Sequence, residues 1–101
     1  MKPQEVFAAL ADPTRLRLFE RLAASGPATA TELARDMPVS RQAVARHLGV
    51  LDEAGLVERS SSGREVRFAA TPEHLDGVVA WVAGVGDEWD RRLDRLRSVI
   101  D

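Results

Sequence analysis

TATELARDMPVSRQAVARHLGVLDEAG, Thr29 to Gly55, encodes two short helices with almost nothing between them. Thr29 and Glu32 form a capping box: the hydroxyl accepts a free N–H of the first turn and the carboxylate reaches back to the cap. The helix that follows is brief, with Leu33, Ala34 and Met37 on its apolar side, and Pro38 stops it. Only Val39 remains before Ser40, a second cap. The next helix runs from Arg41 to about Ala54, with Gly55 as its C-terminal glycine. Val44, Leu48 and Leu51 stand at i, i+4 and i+7 and face a core. Gln42, Arg46 and Gly49 repeat that spacing on the opposite side, flanked by Ala45, with Arg41 in the first turn. This is a tight helix-turn-helix.

The flanking segments extend the pattern. Upstream, Pro3 to about Ala11 reads as a helix with Val6, Phe7 and Leu10 on one face. Asp12-Pro13 restarts the chain, Asp as cap and Pro at the first helical position. A second helix runs to about Ser25, with Leu16, Phe19, Leu22 and Ala23 at helical spacing, and Gly26-Pro27 ends it. Downstream, Leu56 to Arg59 is strand-like, Ser61-Ser62-Gly63 is a turn, and Glu65 to Ala69 alternates polar and apolar. Thr71-Pro72 is expected to cap a long last helix reaching about Ile100. The fold class is mainly α with a small β-hairpin wing (α-α-α-α-β-β-α), one winged helix-turn-helix domain spanning 1–101.

The 101 residues suit one domain, and 45% hydrophobic with 30% charged residues is ordinary for a globular chain. Cysteine is absent, which removes disulfides, thiolate metal sites and thiol redox sensing. The N-terminal segment lacks the plan of a signal peptide. The apolar run from Val78 to Gly86 falls short of the ~20 residues that span a bilayer. A cytoplasmic location and no membrane partner are therefore expected.

Net charge is −2, but it is unevenly spread. Pro13 to Arg67 holds nine Arg against seven acidic residues, a net of +2. Pro72 to Asp101 holds four Arg against seven, a net of −3. Val39 to Leu51 contains Arg41, Arg46 and His47 and no acid. A basic face on an acidic protein is compatible with nucleic acid.

The second helix of such a pair fits the major groove, where its first turns meet base edges. Gln can bond adenine, Arg can bond guanine, and Ala can touch a thymine methyl. Nothing acidic intervenes before Asp52. The hairpin tip, Ser61 to Arg64, can reach the backbone or the neighbouring minor groove. His47 sits on the helix flank, either as a phosphate contact or as half-buried packing. The expected DNA-binding set is Ser40, Arg41, Gln42, Ala45, Arg46, His47, Ser62, Gly63 and Arg64, and the partner is double-stranded DNA. Arg15, Arg17 and Arg21 either steer DNA or solvate a face.

In the last helix Val78, Val82, Val85, Trp89, Leu93, Leu96 and Ile100 step by three and four, and Val79 and Trp81 widen the stripe. So long an apolar face with two Trp exceeds what a thin core needs, and a partner helix is the simplest cover. The alternative is that Trp81 and Trp89 pack only within the subunit.

Ala11-Asp12-Pro13-Thr14-Arg15-Leu16-Arg17, the run Ser40 to Leu51, and Ala54-Gly55-Leu56-Val57 resemble the ArsR/SmtB repressors. So does the hairpin Arg59 to Arg67 with Gly63-Arg64 at its tip. The resemblance implies a homodimer that occupies a palindromic operator and blocks transcription, with the first and last helices building the interface. The expected interface is Val6, Phe7, Leu10, Val78, Trp81, Val82, Val85, Trp89, Leu93 and Leu96.

Many relatives sense metals, through cysteines in the third helix or first segment, or through acidic and His residues in the last helix. Here there is no thiol, and the last helix has a single His, His74, near its start. No metal site and no cofactor are expected. No phosphate loop, nucleophile motif or metal pair points to an enzyme. Two rivals stay open: a winged helix serving only as a protein-interaction module, and a repressor released by a small organic ligand bound at the dimer cleft near the Trp residues.

Overall fold

The computed structural model describes residues 3–100. Helix α1 (Pro3–Leu10) buries Val6 and Ala9. Asp12 then caps α2 (Pro13–Ser25), its Oδ1 accepting from the backbone N–H of Thr14 at 2.8 Å and of Arg15 at 3.1 Å. The buried ridge of α2 is Leu18, Phe19 and Leu22. Leu16 is 39% exposed and Ala23 is exposed, so the core stripe differs from the expected one. Leu18 and Leu22, four residues apart, stack on one line, and Leu16 and Ala23 fall on its flanks.

Strand β1 (Ala28–Thr29) follows, a two-residue element with no signature in the sequence pattern. Thr29 ends that strand and also caps α3 (Ala30–Arg35). Its hydroxyl accepts from the N–H of Glu32 at 3.1 Å, and its own N–H donates to Glu32 Oε1 at 3.3 Å, completing the capping box. Helix α3 stops at Arg35, before Met37. Helix α4 (Arg41–Glu53) is capped by Ser40, whose hydroxyl accepts from Ala43 N–H at 3.1 Å. It ends in a Schellman motif. Leu56 N–H reaches Leu51 O and Gly55 N–H reaches Asp52 O, both at 2.9 Å, with Gly55 at φ +78°.

The wing is β2 (Val57–Ser62) and β3 (Glu65–Ala70), joined by the two residues Gly63 and Arg64. Ser61 and Ser62 belong to the strand, and the turn is tighter than expected. Gly63 has φ +62°, the positive value a two-residue hairpin needs at its first loop position. Strand β1 pairs antiparallel with β3, Ala28 opposite Phe68 and Thr29 opposite Arg67. The sheet order is therefore β1-β3-β2.

Thr71 is buried but does not cap the last helix. Its hydroxyl donates to Gly55 O at 2.8 Å and its N–H donates to Leu56 O at 2.9 Å, fastening the end of β3 to the end of α4. His74 Nδ1 also meets Gly55 O. After β3 the chain forms a 3₁₀ turn (Pro72–Leu75) before α5 (Asp76–Ile100).

The core gathers Val6, Leu18, Leu22, Leu33, Val44, Leu48, Leu51, Leu56 and Val57, drawn from every helix except α5 and from the first wing strand. Helix α5 rests on α1 and the 3₁₀ turn, with Phe7 edge-on to Trp81 at a centroid distance of 5.7 Å. Its 25 residues span roughly 37 Å and project from the domain, whose longest extent is 66 Å.

Leu48 is fully buried at the centre of this core. Leu48→Ala is expected to cost about 2–5 kcal/mol of unfolding free energy in a urea titration. A loss under ~1 kcal/mol would mean that the α4 ridge does not organise the core.

Candidate nucleic-acid interface

Because Val44, Leu48 and Leu51 are buried, the opposite side of α4 must face solvent. Arg41, Gln42, Ala45, Arg46 and Gly49 are all exposed there. None of the described acidic side chains pairs with Arg41 or Arg46. The tip residues Ser62, Gly63 and Arg64 are exposed as well. Ser40 is exposed, but its hydroxyl oxygen is already accepting the Ala43 N–H. Its contribution is to hold the first turn of α4 in place.

Between α3, the start of α4, β1 and the wing lies an open groove of about 690 Å³. Arg35, Arg41, Arg59, Arg64 and Arg67 line it, against the carboxylates of Glu32 and Glu65. The groove joins the two regions expected to meet DNA, the first turns of α4 and the wing tip. Arg35 and Arg59 are not among the residues expected from sequence. Arg59 lies opposite Phe68 in the hairpin, its guanidinium 5.8 Å from the ring centroid, a cation–π placement that only the register reveals.

The three arginines of α2 separate clearly. Arg15 Nε donates to Ala9 O at 2.7 Å and its NH2 lies 3.4 Å from Ala8 O, so its charge sits on the free carbonyls ending α1. Its NH1 is 3.4 Å from His47 Nδ1 on α4. Arg15 is thus structural, and half-buried His47 is held partly by it. Arg21 pairs with Asp36 at 3.2 Å, linking α2 to the end of α3. Arg17 is exposed, with no described acidic partner.

A family profile described as a helix-turn-helix domain matches residues 10–60. The HTH-type transcriptional regulator Rv2034 of Mycobacterium tuberculosis is 40% identical over 98% of this chain and 89% of its own. The arsenical resistance operon repressor of Escherichia coli is 28% identical over 97% of this chain and 81% of its own. Among solved structures, an ArsR-like transcriptional regulator from Rhodococcus sp. RHA1 superposes with a TM-score of 0.87 at 40% identity, covering 96% of this chain and 91% of that one. The chain belongs to the ArsR/SmtB family of winged helix-turn-helix transcriptional regulators.

In this ArsR-family chain the residues expected at a dimer interface divide into two groups. Val6 is fully buried in the subunit's own core, because α1 turns it inward with Ala9, and it offers no surface to a partner. Leu10 and Val78 are half-buried against that core. Phe7, Trp81, Val82, Val85, Trp89, Leu93 and Leu96 are exposed, from 39% at Val85 to 57% at Trp89. The side chain of Ile100, the last residue of the expected stripe, lies outside the described set. Among the described residues no group of three or more His, Asp or Glu is placed to hold a metal ion. No described helix is long and apolar enough to cross a membrane.

Asp12 and Glu32 position the helices of the site, and each carboxyl is held below its ordinary value, 3.8 and 4.5 respectively. The leading cause for Asp12 is the backbone N–H of Arg15, and for Glu32 the backbone N–H of Thr29 followed by the Thr29 hydroxyl. A carboxyl with a depressed folded value stabilises the fold above its ordinary value and loses that contribution as pH falls through the folded one. The unfolding midpoint should therefore drop as pH falls from about 5 to about 3. Combining Asp12→Asn with Glu32→Gln, which keeps both caps but removes their titration, should flatten the drop. Thermal melts across that range check this, and unchanged slopes would contradict it.

Proposed function

We propose that this protein is a homodimeric repressor that binds a twofold-symmetric DNA operator, with α4 in the major groove and the wing against the neighbouring backbone. The observation that carries this reading is the outer face of α4. From Arg41 to Gly49 it is exposed, free of acids and bears Arg41, Gln42 and Arg46, beside a groove lined with further arginines; Asp52 and Glu53 come only in the last turn. Base edges in the major groove offer acceptors for Arg on guanine and a donor–acceptor pair for Gln on adenine. Arg64, at the wing tip, is placed for phosphate, which fixes register without reading sequence. The Escherichia coli relative is named a repressor, which supports repression as the outcome of binding.

The apolar row of α5 supports the dimer. Trp81, Val82, Val85, Trp89, Leu93 and Leu96 are open to solvent because α5 leaves the domain after its first turns. A second α5 presents the same row, and an isologous pairing covers both at once. Trp is also enriched in interface cores. Twofold pairing sets two α4 helices on one side of a duplex, about one helical turn (~34 Å) or a small multiple apart. With no cysteine in the chain, we read its regulation as independent of the thiolate metal sites of its family. Equilibrium dialysis showing tight zinc binding coupled to loss of DNA would overturn that part.

Base reading by Arg46 is tested by fluorescence anisotropy on the DNA upstream of the protein's own gene and on a scrambled duplex. Arg46→Ala should cost about 1–3 kcal/mol on the preferred duplex and little on the scrambled one. Arg64→Ala should weaken both more evenly. Equal losses on both duplexes for Arg46→Ala would contradict base reading.

For the dimer, Trp89→Glu should leave the helical content intact and shift sedimentation from dimer to monomer. Tight binding to the upstream duplex should be lost with it. A Trp89→Glu protein that still sediments as a dimer would place the interface elsewhere.

A further inference from the structure

Arg67 is in the middle of β3, opposite Thr29 of β1. That register sets it against Glu32, whose carboxylate is anchored by Thr29 in the capping box. Arg67 NH1 lies 3.5 Å from Glu32 Oε1, and NH2 donates to Glu65 Oε2 at 3.1 Å. Glu32 belongs to the helix pair and Glu65 begins the second wing strand. One guanidinium therefore ties the wing to the helix-turn-helix through Glu32 and at the same time pairs with Glu65 on its own strand.

Both carboxylates line the groove shared by Arg35, Arg41, Arg59 and Arg64. None of these four arginines pairs with an acidic side chain among the described residues. The two acids of the groove are held by Arg67, and the other four cations remain available to face a polyanion.

Resting on the DNA-binding reading above, we propose that Arg67 is a positioning residue for DNA binding. It neutralises Glu32 and Glu65 and braces the wing against α3, without itself touching DNA.

The magnitudes favour this over a role in stability. The three side chains are 41%, 41% and 58% exposed for Arg67, Glu32 and Glu65, and ion pairs at such sites add little to folding. Their effect on a bound polyanion is different, because a bare carboxylate in the groove repels phosphate directly and like charges across an interface are costly. Glu32 cannot escape this by taking up a proton near neutrality. The Thr29 N–H and hydroxyl stabilise its charged form and hold its carboxyl below the ordinary range.

The test needs no operator, because phosphate contacts supply non-specific binding. The probe is a random-sequence duplex of about 30 bp at about 50 mM salt, followed by fluorescence anisotropy. Arg67→Gln should melt with the wild-type protein and bind roughly 10-fold more weakly. Arg67→Lys should stay near wild type. Adding Glu32→Gln and Glu65→Gln to Arg67→Gln should restore affinity to within about 3-fold of wild type. The amide introduced by Glu32→Gln still completes the capping box, so α3 is undisturbed.

The same net charge made elsewhere, Arg67→Gln with Glu20→Gln and Glu73→Gln, should not restore it. The restored triple variant should also keep the wild-type slope of log affinity against log salt, since no phosphate contact has gone. Three results would overturn the proposal: Arg67→Gln binding like wild type, a groove triple as weak as Arg67→Gln, or a triple whose slope is shallower by about one. Equal rescue by the control triple would reduce the effect to net charge and overturn it too. A folded wild-type protein that binds no duplex under these conditions would overturn the DNA-binding reading itself, and this proposal with it.

Discussion

In the proposed reading a 13-residue helix has to do two incompatible things, anchor a core and leave a face bare for DNA. Val44, Leu48 and Leu51 resolve the conflict by gathering every buried contact of α4 onto one side. The remaining elements are arranged around that ridge. Helices α1 and α2, the hydrophobic end of α3 and the first wing strand all pack there, and none crosses to the outer face. The rotation of α4 about its axis is what aims Gln42 and Arg46 outward. A large apolar loss on the buried side would be felt in DNA recognition as well as in stability, because both depend on the same orientation.

So small a domain economises by giving single residues two tasks. Thr29 is a strand residue and a helix cap. Asp12 caps α2, while Arg15, three residues on, covers the carbonyls that end α1 and reaches His47 on α4. Thr71 ends β3 and stitches it to Gly55 at the close of α4. Each link is a modest interaction, on the order of 1 kcal/mol. Their common effect is geometric: the ends of α1, α2, α3 and α4 and the root of the wing are fixed relative to one another. The wing itself is thin and exposed beyond Val57 and Phe68. Its angle to α4 then depends on the sheet register and on the ion pair of Arg67 with Glu32.

Much of this architecture is legible in the amino-acid sequence. Caps, helix-ending glycines and prolines and the buried spacing of α4 are local signals, and they locate the helix pair, the hairpin and the long last helix. What escapes a sequence reading is tertiary. Strand β1 is two residues long, too short to show alternation, and exists because Ala28 finds Phe68 across the sheet. Thr71 has the residue type of a cap, but the carbonyl of Gly55 claims its hydroxyl. Val6 and Phe7 are neighbours on α1, yet one is sealed in the core and the other meets Trp81, a distinction set by how α1 leans on α2 and α5. Arg35 and Arg59 join the candidate interface only because the register of the wing and the position of α3 bring them to one groove.

Helix α5 connects the fold to the proposed twofold assembly. Its apolar row is uncovered within the subunit, and a symmetric copy would cover it while setting two reading heads at a fixed separation. The most direct measurement of that account is a hydroxyl-radical footprint on the DNA upstream of the protein's own gene. The account predicts two equal, symmetry-related protected patches on one face of the duplex, separated by about one helical turn (~10 bp) or a small multiple. A single short patch, or protection spread evenly along the DNA, would contradict it.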